Sequence, residues 1–164
     1  MMKPFFIFVS LILSVTAMAQ LPTVERNRLV LSNPVTFNTG SDELTEDGIK
    51  ALGQVKEFLI AKDYVSLLRV EGHSDNSGDA AGNQVLTGKR ALAVCKWLIA
   101  NGIDCKRLIA VGFGGTKPIA DNETPMGKAA NRRMDFVITA LREKLVGGMQ
   151  ADGGGIAVGP ICSD

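Results

Sequence analysis

Glu71-Gly72-His73-Ser74-Asp75-Asn76-Ser77-Gly78 is the stretch on which the fold turns. It begins where an apolar run (Val65, Leu67, Leu68, Val70) ends, and it leads through turn-forming residues to Asn83, Leu86 and Arg90. A strand, a polar loop and an amphipathic helix account for this order. Leu86, Arg90, Val94, Trp97 and Leu98 recur at helical spacing, which puts Arg90 between Leu86 and Val94 on the face that packs inward. A guanidinium held there keeps its charge and needs acceptors for its fork of donors. Asp75 is the nearest acid in sequence with a route to it. An acid and a base facing each other at a loop mouth suit a ligand with both charges, its ammonium to Asp75 and its carboxylate to Arg90.

Working outward, Val35-Thr36-Phe37 reads as a first strand. Thr45 is a helix N-cap with Glu46 and Asp47 in the first turn, and Ile49, Leu52, Val55, Phe58 and Leu59 make that helix's buried face. Val65–Val70 is the second strand. The second helix runs from about Gln84 to Ala100, with Gly102 just past its end. Leu108–Val111 is the third strand, and Thr124-Pro125 begins a short helix reaching about Ala130. Met134, Phe136 and Ile138 alternate with Asp135, Val137 and Thr139 in a last strand. This β-α-β-α-β-α-β order predicts an α/β fold of the α+β two-layer sandwich type, a small mixed sheet with helices packed on one face. The domain spans residues 35–145. Residues 20–34 read as a linker or arm, and Leu141–Leu145 as a charged helix prolonging the last element. Gly147-Gly148 and Gly153-Gly154-Gly155 mark residues 146–164 as a flexible tail.

The chain has 164 residues, 46% of them hydrophobic, enough for one domain with a real core. Part of that hydrophobicity belongs to residues 1–19. Lys3, the run Phe5 to Leu13 and Ala17-Met18-Ala19 form the three regions of a cleavable signal peptide, cut after Ala19. The rival is an uncleaved anchor, for which the apolar run is short against a span of roughly 20 residues. No cysteine stands directly after the leader, so the expectation is a soluble exported protein without a lipid anchor. Of 18 basic residues Lys3 leaves with the leader, so 17 face 17 acidic ones. Zero net charge argues against nucleic acid or an anionic membrane held by bulk charge. Export permits disulfides. Cys95 on the second helix and Cys105 beyond its Asn101-Gly102 stop are expected to pair, closing a short loop; the alternative is two small buried hydrophobes. Cys162 has no evident partner and is expected to stay free or to bridge chains.

Gly72-His73-Ser74-Asp75-Asn76-Ser77-Gly78, then Asn83-Gln84-Val85-Leu86-Thr87-Gly88-Lys89-Arg90-Ala91, resembles the signature of the OmpA-like peptidoglycan-binding domain. Val111-Gly112-Phe113-Gly114, Pro118, Asn122, Thr124, Gly127 and Asn131-Arg132-Arg133 continue it in order, from about Val35 to about Leu141. Several motifs in the right order make the resemblance specific. It implies non-catalytic binding of the diaminopimelate in the peptidoglycan stem peptide, gripped by Asp75 and Arg90, with no cofactor. It also implies a periplasmic or outer-membrane-associated setting in a diderm bacterium, and possible envelope-protein partners. The departures are Ser74 for the usual Thr, Thr87 for Ser and Lys128 for Arg. The loop Asn38-Thr39-Gly40-Ser41 matches poorly and carries no implied role.

Each candidate has a second reading. Asp75 could cap its own turn, since Asp-Asn-Ser-Gly is good turn chemistry. Asn83 shares a helix face with Arg90 and could donate to a ligand carboxylate or cap the helix. Arg132 and Arg133 point to opposite faces, and the sequence does not say which reaches ligand. His73, the only histidine, reads as a packed or hydrogen-bonded ring. A thiol triad of Cys95 or Cys105 with His73 and Asp75 lacks a strained turn to expose the nucleophile, and one His with scattered Asp residues matches no metal spacing. A protein-interaction scaffold that keeps the fold without binding murein is the remaining alternative. N-terminal sequencing of exported protein is expected to begin at Gln20; retention of the apolar segment would establish an anchor instead.

Overall fold

The computed structural model describes residues 21–159, 161 and 162, so the leader lies outside the described residues. The helices begin where their capping chemistry places them. Thr45 accepts the Gly48 N–H and starts α1 (Glu46–Ala61) with Glu46 and Asp47 in its first turn. Asp79 accepts the Gly82 N–H and starts α2 (Ala80–Ala100), one turn earlier than expected. Gly102, at φ 94°, follows the α2 cap. Thr124 accepts the Gly127 N–H, with Pro125 opening α3 (Pro125–Asn131).

Among the described residues, seven strands form one mixed sheet. They are β1 (Thr23–Glu25), β2 (Arg28–Val30), β3 (Val65–His73), β4 (Leu108–Gly114), β5 (Met134–Leu141), β6 (Lys144–Leu145) and β7 (Ile156–Ala157). The order is β1-β2-β5-β3-β4-β7, with β6 beside β5; β3 and β4 are parallel and the other pairs antiparallel. Leu68, Val70, Ala110, Phe136 and Ile138 form the core with Leu52, Val55 and Leu59 of α1 and Val94 and Leu98 of α2. Ile49, expected on that buried face, is 40% exposed.

α2 lies against the sheet at unusually close range. A Cβ on Gly72 would lie 2.2 Å from the Thr87 carbonyl oxygen, and one on Gly112 would lie 2.7 Å from the Gly88 nitrogen. The contact is sealed by Gln84 donating to the Gly112 carbonyl at 2.6 Å and by the Gly114 N–H donating to the Thr87 hydroxyl at 3.0 Å. The glycines at the mouth of the loop thus set how deeply α2, and Arg90 on it, can seat.

The structure corrects four expectations. Residues 23–30 are not a bare linker: β1 and β2 form a hairpin whose turn residues Arg26 and Asn27 both have positive φ (47° and 65°), and β2 pairs with β5. Val35-Thr36-Phe37 contributes only a bridge between Phe37 and Leu44, because its partner is the local turn and not the sheet. Leu141–Leu145 is a hairpin into β6, not a helix, with Arg142 and Glu143 at φ 47° and 64°. The Gly-rich tail returns to pair β7 with β4.

That return decides the cysteines. Cys105 is bonded to Cys162, across a sequence separation of 57, and not to Cys95. Cys95 is 0% exposed on the inner face of α2, where burial pushes its thiol up to about 12. Closing so long a loop stabilises the fold by roughly 4 kcal/mol on the chain-entropy account. Unreduced peptide mapping is expected to recover Cys105 linked to Cys162, with Cys95 unmodified until the protein is denatured. Gly72→Ala is expected to cost about 2–3 kcal/mol in denaturant unfolding, because its methyl would displace the α2 backbone.

Candidate functional site

A groove opens where the segment before α1, the middle of α2 and the end of α3 converge. Val35, Phe37, Thr39, Gly40, Arg90, Ala129, Arg132 and Arg133 line it. The turn on its first side is closed by backbone bonds from Asn38 to Glu43 (2.9 Å) and from Ser41 to Asn38 (3.1 Å). That turn presents the Ser41 carbonyl to Arg90 Nε at 2.8 Å, while the guanidinium carbon lies 5.0 Å from the centre of the Phe37 ring. Burial lowers the Arg90 pKa and Asp42 opposes that shift; the group stays charged, as a guanidinium does. Its two terminal nitrogens have no protein acceptor among the described residues.

Asp75 lies in the turn after β3. Its Oδ1 accepts the Ser77 N–H at 2.9 Å, and its Oδ2 accepts from Arg132 Nη1. Burial alone would raise the Asp75 pKa, but the Ser77 and Arg132 bonds outweigh it and hold the carboxyl below its ordinary range. Asn83, in the first turn of α2, spends its amide hydrogen on the Ser77 carbonyl at 2.7 Å and so braces this turn.

Arg132 and Arg133 are aimed by Asn131, which is wholly buried. Asn131 Oδ1 accepts the Ile119 and Ala120 N–H groups (2.7 and 3.1 Å), and its Nδ2 donates to the Ala120 carbonyl and to Asn122 (2.9 and 2.8 Å). A satisfied amide at this corner fixes the chain as it leaves α3 for β5. Arg132 then turns to Asp75 with its side chain 51% exposed, whereas Arg133 turns inward, donating from Nε to Asp135 at 2.9 Å. Both nevertheless line the groove.

Behind Arg133, on the sheet face away from the helices, lies a buried polar cluster. Arg69 Nε donates to Glu71 at 2.6 Å, and His73 Nε2 stands 3.1 Å from Glu71 and 3.3 Å from Asp135. Both neighbours are carboxylates, so this nitrogen carries the hydrogen. Glu71, His73 and Asp135 could together offer metal donors within 4.8 Å of one another, yet arginines already bond both carboxylates. His73 stacks on Phe113 with centroids 5.1 Å apart, the packed ring expected of it.

The sequence-level candidates therefore meet differently from expectation. Arg90, Arg132 and Arg133 share one groove, and Asp75 joins it through Arg132. The expected Asp75–Arg90 partnership is replaced, because α3 delivers a nearer cation to Asp75 while the Ser41 turn and Phe37 hold Arg90. The thiol triad has no nucleophile to use, with Cys105 in a disulfide and Cys95 buried. Sequence reasoning missed Phe37, Ser41 and Asn131. Only Asn131 carried a signal, as the residue leading the Arg132-Arg133 pair.

Residues 36–132 match the OmpA family. The chain is 34% identical to the outer-membrane lipoprotein YfiB of Pseudomonas aeruginosa, over 67% of this chain and 65% of that one. It is 32% identical to the peptidoglycan-binding protein ArfA of Mycobacterium bovis, over 66% of this chain and 33% of that one. The chain thus spans between about a third and two thirds of the length of these curated relatives. Among solved structures, a MotB-like protein from Desulfovibrio vulgaris superposes with a TM-score of 0.60 at 28% identity, covering 71% of this chain and 74% of that one.

The lowered Asp75 pKa has a definite sign. Its stabilisation is fully present above the ordinary carboxylate range and is lost as pH falls through the folded value. The stability difference between parent and Asp75→Asn, measured by urea unfolding, is expected to stay constant from neutrality to about pH 5 and to shrink below that.

Proposed function

The chain belongs to the OmpA family, and from that premise we propose that it binds peptidoglycan without catalysis through the diaminopimelate of the stem peptide, holding the protein at the cell wall. The observation that carries this reading is the Arg90 guanidinium, half-buried against Phe37 and anchored at Nε by Ser41, with both terminal nitrogens available to a ligand. Diaminopimelate carries an ammonium and a carboxylate on one stereocentre. The carboxylate takes the two-pronged end of Arg90, a geometry that an ammonium in its place cannot supply. The ammonium goes to Asp75, whose oxygens keep lone pairs beyond those used by Ser77 and Arg132. Arg132 and Arg133 add positive charge for further carboxylates of the stem. The groove asks for recognition and offers no activated nucleophile. The setting that fits is the periplasm or the inner side of the outer membrane, reached by export. No helix among the described residues is long and apolar enough to cross a membrane.

Calorimetric titration with a diaminopimelate-containing stem peptide, and with its lysine counterpart, tests the reading. Arg90→Lys and Arg90→Ala are expected to weaken binding to a similar extent, by at least about tenfold. Asp75→Asn is expected to weaken it comparably while the folded signal at neutral pH persists. If the parent binds neither peptide, the domain is a protein-interaction scaffold of an envelope complex instead; if Asp75→Asn binds as the parent does, Asp75 does not hold the ammonium.

A further inference from the structure

The segment from Val146 to Gly159 wraps around the sheet border at β4. On the face away from the helices, Arg69 Nη1 donates to the carbonyls of Gln150 and Ala151 (2.9 and 3.0 Å), and Lys117 Nζ donates to that of Gly153 at 2.9 Å. The segment then runs along β4 as β7, donates from the Val158 N–H to the Ala110 carbonyl at 2.9 Å, and leads to the bond between Cys162 and Cys105. This strap joins a closed polar circuit. Its carbonyls hold Arg69, Arg69 holds Glu71, and His73 bridges Glu71 to Asp135. Asp135 holds Arg133 Nε, Arg133 donates to the Lys117 carbonyl at 3.3 Å, and Lys117 returns to the strap at Gly153. One member of the circuit, Arg133, lines the groove.

We propose that the strap is a positioning element for the groove: clasped by the Cys105–Cys162 bond, it fixes Arg133 through this circuit and so sets ligand affinity from the opposite face of the sheet. Arg133 is a flexible side chain whose Asp135 partner is shared with Arg28 and His73. With the strap in place, Arg69 and Lys117 are committed and the carboxylates have one arrangement of cations. With it gone, water and Arg69 compete for those carboxylates and Arg133 gains alternatives. The ligand half of this inference rests on the proposed peptidoglycan binding; the positioning half does not.

Two levers open the strap in the full chain without touching the groove. A dithiol reductant supplies two electrons and two protons, closing to its own cyclic disulfide and leaving Cys105 and Cys162 as thiols for alkylation. Gly153→Val wedges the strap outward, since a Cβ there would lie 2.6 Å from Arg69 Cζ. Amide exchange at Val158 reports opening, Nε–H exchange of Arg133 reports positioning, and calorimetry with a soluble diaminopimelate-containing muropeptide reports affinity. Each lever is expected to speed both exchange rates and to weaken muropeptide binding about fivefold, with reoxidation of unalkylated protein restoring the parent values. A strap that stays closed under both levers, or one that opens while Arg133 Nε–H exchange is unchanged, overturns the proposal. A parent that binds no muropeptide overturns the proposed function alone, and the Arg133 exchange still decides the positioning.

Discussion

Glu71 and Asp135 stand directly opposite each other on β3 and β5, at 3% and 7% exposure. Two carboxylates at adjacent positions in a sheet repel, and burial strips them of the water that would mask it. The fold must therefore supply cations at this point, and it does so with Arg69, Arg133, Arg28 and the His73 N–H. Burial pushes the Glu71 carboxyl up, but its bonds to His73 and Arg69 outweigh that and hold it below its ordinary range. Such a cluster is costly to break, because removing one partner leaves an uncompensated charge worth several kcal/mol. It also explains why the second face of the sheet is covered. Left open to water, the pairing would be screened and its cations free to wander.

Local chemistry was legible where a residue's effect ends within one turn of chain. Thr45 and Thr124 cap helices through a hydrogen bond three residues away, and Gly102 ends α2 through its own φ. The long apolar runs that became β3 and β5 were equally plain. Val137 and Thr139 are buried as well, with the Thr139 hydroxyl donating to the Leu67 carbonyl at 3.2 Å. The hairpins were hidden for a different reason. Strands β1, β2 and β6 are two or three residues long, and three of the four non-glycine positive-φ turn residues are Arg26, Arg142 and Glu143, side chains with no preference for that conformation. Glycines in the tail read as slack, whereas here they let the chain lie against Arg69 and Phe113 without a side chain between.

The candidate site divides along the same line. Motif spacing located the loop holding Asp75, the helix holding Arg90 and the corner holding Arg132 and Arg133, because each sits on a locally determined element. Which acid meets which base did not follow. That depends on where α3 ends relative to the β3 loop, and this is set by the buried Asn131 hub and by the depth at which glycines let α2 seat. The cysteines teach the same lesson: the pair near in sequence lost to the pair brought together by strand order, since Cys95 faces the core and Cys105 faces the returning chain.

The strands at the two ends of the sheet's main path, β1 and β7, are among its shortest members, three and two residues long. Longer β4 lies directly inside one border and β2, leading to long β5, inside the other. A full-length strand exposed at a border is a template on which identical molecules stack, and fibrous aggregation begins with that addition. Here β1 and β7 are brief caps that offer a second molecule almost no ladder to extend. Proteolytic loss of residues 21–33 and 149–162 would keep the groove's residues in the chain and strip both caps, leaving β5 and β4 as open templates for self-adhesion.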